Sequence, residues 1–219
     1  MKLIEPGFFK RNWKLLVISL AIFLIFAFGS AAVANMFAGD HLNEVSNTFE
    51  VAKINNITLN ETKSVSISST ELFIHNLGVD LIIIAGGIFL SIPSLILTIF
   101  NAIDIAAVFG LDFKFAAASI LPHAIFEYLA TVLGLTIAFL ITKLEIRIIK
   151  AKNIKNTLTE NRTILKDILV LFIVTVVLLL IAAIIEGHIT GMIVNIVDWM
   201  WNQHILKNSE FTIEMIKIS

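Results

Sequence analysis

Two ionisable side chains lie four residues apart in the segment SILPHAIFEYLA, residues 119–130, which is otherwise mostly apolar. His123 and Glu127 share one face of a helix, because a spacing of four residues closes about one turn. An ionisable residue inside a membrane span usually faces the interior of the helix bundle and pairs with another polar group. The pair therefore marks a candidate polar site at membrane depth.

Further polar groups are predicted to reach the same depth. Glu186 and His188 lie in the segment IIEGHIT, and the pair His75-Asn76 precedes another long apolar run. Because ionisable groups in membrane helices turn toward each other, we expect these side chains to meet. The predicted intramembrane polar cluster consists of His123, Glu127, Glu186, His75 and Asn76.

The cluster has two interpretations. In the first, His123 satisfies the carboxylates of Glu127 and Glu186 and joins two helices, a polar contact worth about 1 kcal/mol between membrane helices. In the second, the cluster binds a divalent metal such as zinc, for which imidazole and carboxylate are suitable ligands. The predicted metal ligands are His123, Glu127, Glu186 and His188. The sequence has no His-Glu-x-x-His motif, and we assign no catalytic residue.

The composition of the chain indicates which kind of secondary structure positions these residues. Of 219 residues, 58% are hydrophobic and 15% are charged, whereas an ordinary soluble domain has roughly 25% charged residues. Apolar runs that approach or exceed the ~20 residues of a membrane-spanning helix occur at residues 13–34, 77–100, 116–142 and 168–185. The sequence therefore predicts an all-α, polytopic membrane helix bundle.

Basic residues set the predicted orientation. Lysine and arginine are concentrated in the first fourteen residues and again between Lys143 and Lys166, and the positive-inside rule makes both segments cytoplasmic. An odd number of crossings must then separate them, and three crossings fit the length of the intervening chain. We predict about five spans with a cytoplasmic N-terminus and an external C-terminus, at residues 13–35, 77–100, 101–119, 121–143 and 166–187.

The segments between the spans complete a single integral membrane domain, residues 1–219. We predict a polar external loop at 36–76, a cytoplasmic basic loop at 144–165 and an external amphipathic tail at 188–219. The small residues Gly86 and Gly87 are predicted to allow close helix packing. We expect a multi-pass protein of the cell membrane that contacts lipid and forms a homodimer. With a net charge of −1 and no cysteine, neither nucleic-acid binding nor thiol chemistry is expected.

The string LPHAIFEYLA resembles the signature of the stage II sporulation protein M family, integral membrane proteins of spore-forming bacteria and archaea. The resemblance extends to the pair His75-Asn76 and to the ending AAIIEGHIT of the last span, and it covers about residues 73–190. Ala102 and Ala124 stand where the family usually has glycine. The resemblance implies a scaffold that works with a cell-wall hydrolase and a partner membrane protein.

Three functions follow from these observations. The first is a non-catalytic component or scaffold of a cell-envelope or membrane-remodelling assembly, with envelope proteins as partners. The second is a metal-dependent intramembrane enzyme that uses His123, Glu127 and Glu186, which a water-accessible cavity reaching Glu127 would favour. The third is a small channel or transporter that uses carboxylates at Asp80, Asp104, Asp112 and Glu127.

Overall fold

The computed structural model of the protein describes residues 5–54, 69–111 and 120–190, and these residues are almost entirely helical. The helices are α1 (Phe8–Ile54), α2 (Ser69–Ala85), α3 (Ile92–Leu111), α4 (Leu121–Ala151), α5 (Ile154–Glu160) and α6 (Arg162–Ile184). A 3₁₀ turn at Gly86–Phe89 follows α2, and a π-helical segment at Ile185–Thr190 extends α6. The described ranges contain no strand, which confirms the all-α prediction.

Within the described residues, four helical segments are long and apolar enough to cross a membrane, which confirms a polytopic membrane protein. They are Phe8–Val33, Ser69–Phe89, Leu121–Ala151 and Arg162–His188. Helix α3 has 20 residues and a shorter apolar stretch, Ile92–Ile103. A fifth membrane crossing would have to be formed by α3.

Helices α2 and α4 lie parallel in a fixed register. Two side-chain hydrogen bonds join residues of α2 and α4 that are 51 positions apart, Asn76 with Glu127 and Asp80 with Thr131. Ser91, in the turn after α2, bonds Thr142 of α4 with the same separation. A constant separation along both chains requires that the two helices run in the same direction. The polar residues of α2 are therefore matched, turn by turn, with those of α4.

Helix α1 runs in the opposite direction to α4. The hydroxyl of Thr136 donates a hydrogen bond to Ser19 Oγ at 3.0 Å, and Phe23 packs beside Val132. Later residues of α1 therefore contact earlier residues of α4, so the two helices are antiparallel. Helix α6 packs against α4 after the short α5 turns the chain back. Helices α1 and α6 therefore begin at the same end of the bundle.

The chain reverses direction between α2 and α3. Leu90 and Ser91 have positive φ angles of 54° and 58°, a left-handed conformation that ends a helix. The hydroxyl of Ser94, in the first turn of α3, donates a hydrogen bond to the carbonyl oxygen of Ile83 at 2.6 Å. Helix α3 therefore folds back along α2.

This reversal lies earlier in the chain than the sequence analysis predicted. We predicted one span at 77–100 and the next at 101–119. In the structure α3 begins at Ile92, and Pro93 lies in its first turn, where the missing N–H of proline removes no intrahelical hydrogen bond.

Two segments that were predicted as loops are largely helical. In the basic segment 144–165, α4 continues to Ala151 and α5 precedes α6. In the segment 36–76, α1 continues to Ile54 and α2 begins at Ser69. Lysine, arginine and glutamate are good helix formers, so a helix does not have to stop where its apolar run ends. The predicted tail 188–219 lies outside the described residues after Thr190.

A contact between the start of α1 and the start of α6 has a predictable pH dependence. The carboxylate of Glu5, just before α1, accepts hydrogen bonds from Lys166 Nζ and from Thr163 Oγ1. The hydrogen bond from Lys166 lowers the pKa of Glu5 below its ordinary value of 4.5. The resulting stabilisation is complete above the unfolded-state pKa and is lost as the pH falls through the folded-state pKa.

We therefore expect Glu5→Gln to melt slightly below the wild type at about pH 7 and together with it at about pH 3, because only the ionised carboxylate gains from Lys166. Melting temperatures of the two proteins in detergent, measured across this range, test the prediction. A difference between them that persists at the acid end would contradict it.

Candidate functional site

A cavity of about 270 Å³ lies between α2, α3, α4 and α6. At the ~30 Å³ that one water molecule occupies in the liquid, this volume corresponds to about nine water molecules. Seven of the ten described residues that line it have hydrogen-bonding side chains, although all four helices come from apolar segments. The hydrogen-bonding side chains that line it are His75, Asn76, Asp80, Asn101, Glu127, Tyr128 and Thr131.

Asn76 and Glu127 form the upper level of the cavity. The side-chain amide of Asn76 donates a hydrogen bond to Oε1 of Glu127. Asn101 of α3 lines the same space, because α3 folds back along α2. The upper level therefore brings together the oxygen atoms of two side-chain amides and one carboxyl group.

Asp80 and Thr131 form the deep level, one helical turn further along α2 and α4. The hydroxyl of Thr131 donates a hydrogen bond to Oδ1 of Asp80 at 3.1 Å. Asp80 is only 1% exposed, and its Oδ2 atom has no hydrogen-bond partner among the described residues. None of the described residues that line the cavity is a lysine or an arginine. A buried charge without a partner costs several kcal/mol or more, so Asp80 is the group in this site that most requires a ligand or a proton.

Three residues of the predicted polar cluster line this cavity: His75, Asn76 and Glu127. His123 is buried at 8% exposure on α4 but does not contribute to the lining. Glu186 is half-buried in the π-helical extension of α6 and is not among the lining residues. The structure therefore brings part of the predicted cluster together around a space rather than around one histidine.

The predicted metal ligands are not gathered into one group among the described residues. His188 Nδ1 lies 3.4 Å from Ser69 Oγ and 3.2 Å from the carbonyl oxygen of Ile184. Within the residues that the structure describes, no group of three or more histidine, aspartate or glutamate side chains is placed to hold a metal ion. Metal binding by His123, Glu127, Glu186 and His188 stays a prediction that this geometry does not support.

Asp80 was not among the residues predicted for the polar cluster. It was predicted only as one of the carboxylates of a channel or transporter. The signal that could have found it is a repeated spacing: Asp80 follows Asn76 by four residues on α2, and Thr131 follows Glu127 by four residues on α4. Two such pairs produce two polar levels when the helices are parallel, and the parallel packing is not visible in the sequence.

The buried position of His123 leads to a prediction about stability. His123→Ala is expected to lower the free energy of unfolding by about 2 kcal/mol, because it removes a packed, interacting side chain from the interior. The matched control is His75→Ala, at an exposed position, where a change within about 0.5 kcal/mol is expected. Chemical denaturation in detergent measures both, and equal midpoints would show that His123 has no structural role.

The chain is similar to known proteins over the range that contains this cavity. The chain matches the family described as stage II sporulation protein M over residues 18–191, a range that includes every residue lining the cavity. It is 30% identical over 151 residues to an uncharacterised protein of the archaeon Methanocaldococcus jannaschii, an alignment that covers 65% of this chain and 83% of that protein. No solved structure matches the chain. The matched range confirms the resemblance seen in the sequence, and the chain belongs to the stage II sporulation protein M family.

Proposed function

We propose that the protein is a non-catalytic component, or scaffold, of an assembly that organises or remodels the cell envelope. Membership of the stage II sporulation protein M family supports this role through what the resemblance implies about such proteins. The four membrane-spanning segments supply an anchor for such an assembly. Homodimer formation and envelope-protein partners are parts of the same proposal.

The observation that carries the proposal is the length of α1. Its 47 residues extend about 70 Å at 1.5 Å per residue, more than twice the ~30 Å thickness of the hydrocarbon core. The contacts of Ser19 with Thr136 and of Phe23 with Val132 place residue 34 level with the first turn of α4. Residues 35–54 therefore continue α1 past the bundle, and we call this segment the arm.

Charge distribution supports an external position for the arm. The opposite end of the bundle carries the basic residues between Lys10 and Lys14 and between Lys143 and Lys166. By the positive-inside rule that end faces the cytoplasm. The arm carries Asp40, Glu44 and Glu50 against a single lysine. In the proposal, the arm projects from the outer face of the membrane and presents a helical surface to an envelope protein.

The absence of cysteine from the chain allows site-specific cross-linking in membranes of the native host. Asn47→Cys places a single thiol in the arm, and Ile149→Cys places a matched control at the exposed basic end of α4. We expect a photoactivatable maleimide on the arm to capture one defined envelope protein that the control does not capture. We also expect deletion of the arm to cause the same envelope defect as deletion of the gene. Normal envelopes in cells with the arm deleted would reject the proposal.

A second candidate function is transport of a small solute, which the polar cavity favours. The cavity also reaches Glu127, as the enzyme hypothesis requires, but the predicted metal ligands do not converge in the described residues. Of the carboxylates named for a channel, Asp80 and Glu127 line the cavity, and Asp112 lies outside the described residues. Solute flux into liposomes that disappears in Asp80→Asn is the expected result for a transporter, and flux that survives this substitution would reject it.

A further inference from the structure

We propose that the cavity between α2, α3, α4 and α6 binds a small organic ammonium ion, a protonated primary amine, with the carboxylate of Asp80 as its main partner. This site is independent of the role of the arm, because it lies within the bundle and can be measured on the purified protein. The residues that carry this proposal all lie within the described ranges.

The first argument is the state of the Asp80 carboxylate. Thr131 holds Oδ1 with a hydrogen bond of 3.1 Å, whereas Oδ2 is buried and has no partner among the described residues. One oxygen is therefore fixed in orientation while the other is free to accept a hydrogen bond. A positively charged N–H donor is the strongest partner for such an atom, because charge-assisted hydrogen bonds are about twice as strong as neutral ones.

The second argument is the electrostatic character of the whole lining. Glu127 adds a second carboxylate, and Asn76 holds one of its oxygens in place. Among the described residues, no lysine or arginine lines the cavity to pair with either carboxylate. A cavity lined by one sign of charge and walled by low-dielectric protein concentrates ions of the opposite sign. The occupant is therefore a cation.

The cavity suits an organic ammonium ion better than a metal ion. No group of three or more acidic or histidine side chains among the described residues is placed to coordinate a metal. The cavity, at about 270 Å³, is also much larger than a bare ion and is partly walled by Val79, Ile120 and Leu179. Tyr128 adds an aromatic ring, which can interact with a cation. Apolar walls with a few convergent polar groups are typical of sites for small organic ligands.

A primary ammonium group can donate to several acceptors at once. It has three N–H donors, like the side chain of lysine. Asp80 at the deep level and Glu127 and Asn101 at the upper level supply acceptor oxygens for them. The organic part of the amine would then extend past Tyr128 toward the mouth of the cavity, where His75 lies.

The test uses the purified full-length chain in nanodiscs, with phenethylammonium and butylammonium chloride as probes, at one fixed pH and ionic strength. Isothermal titration calorimetry should show saturable binding of both amines to the wild type. Asp80→Asn preserves the shape of the side chain but removes its charge, and it should weaken binding at least about tenfold. Glu71→Gln, which removes an exposed acid from the same helix outside the cavity, is the matched control and should bind as the wild type does.

A second variant keeps the test decisive if Asp80→Asn does not fold. Val79→Phe adds bulk to the cavity wall without changing its charge, and it should also abolish amine binding. The proposal is overturned if neither amine binds the wild type, or if the amines bind Asp80→Asn or Val79→Phe as tightly as the wild type. It is equally overturned if tetramethylammonium, which has no N–H donor, binds as tightly as butylammonium, or if sodium or calcium ions bind and the amines do not displace them.

Discussion

Gly87→Ala is expected to destabilise the protein by about 3 kcal/mol, because the added methyl group would overpack a backbone contact. A Cβ atom at Gly87 would lie 2.7 Å from the carbonyl oxygen of Ala138 and 2.8 Å from its Cα atom. These are backbone atoms in the middle of α4, so they cannot rotate away as the end of a long side chain can. The carbonyl of Gly87 also accepts a hydrogen bond of 2.8 Å from Thr142, which would be disturbed.

The matched control for this prediction is Gly78→Ala in α2. No atom lies within 4 Å of the Cβ that this change would add. Alanine is favoured over glycine in a helix by about 1 kcal/mol, so this variant is expected to be as stable as the wild type or more stable. The free energies of unfolding of Gly87→Ala and Gly78→Ala, measured in detergent, test this prediction. A similar effect of both substitutions would mean that α4 does not approach Gly87 as closely as the structure shows.

Arg11→Ala is expected to cost about 3 kcal/mol, because it leaves the buried carboxylate of Asp167 without its counter-charge. Arg11 binds Asp167 with two N–H groups, at 3.0 Å and 2.7 Å, and the amide of Asn12 donates a third hydrogen bond at 2.9 Å. Asp167 is 3% exposed and Asn12 is 2% exposed. This cluster joins the start of α1 to the start of α6.

A double variant distinguishes the loss of the ion pair from a general loss of packing. Arg11→Ala combined with Asp167→Ala removes both charges, so it should be no less stable than Arg11→Ala alone, and the two single effects should not add. The exposed pair of Lys166 with Glu5 connects the same two segments, and Lys166→Ala is the control, with an expected change of about 1 kcal/mol or less. Additive losses in the double variant would show that Asp167 is not paired in this way.

Much of the fold could be predicted from local properties of the sequence. Apolar runs identified α1, α4 and α6 as membrane helices, because the length and hydropathy of a single helix do not depend on its neighbours. The boundary between α2 and α3 was placed too late in the chain. It depends on the left-handed turn at Leu90 and Ser91 and on the hydrogen bond between Ser94 and Ile83, and these are contacts between two helices.

The burial of Asp167 likewise could not be predicted from the residues next to it in the sequence. Next to a basic segment, an aspartate is ordinarily expected to be solvated. Its burial is decided by α1, which brings Arg11 and Asn12 against it from 156 and 155 positions away. A salt bridge across that distance along the chain requires the packed bundle.

The sequence by itself determined that the chain is an all-helical membrane protein of this family with ionisable groups at membrane depth, because hydropathy, charge and a local signature are carried by consecutive residues. Only the tertiary structure decided how those groups are arranged. The spacing of His123 and Glu127 places both on one face of α4, but the partner of Glu127 is Asn76, on a helix whose register is offset by 51 residues. That register results from the packing of α2 against α4, and it also places Asp80 at the bottom of the cavity.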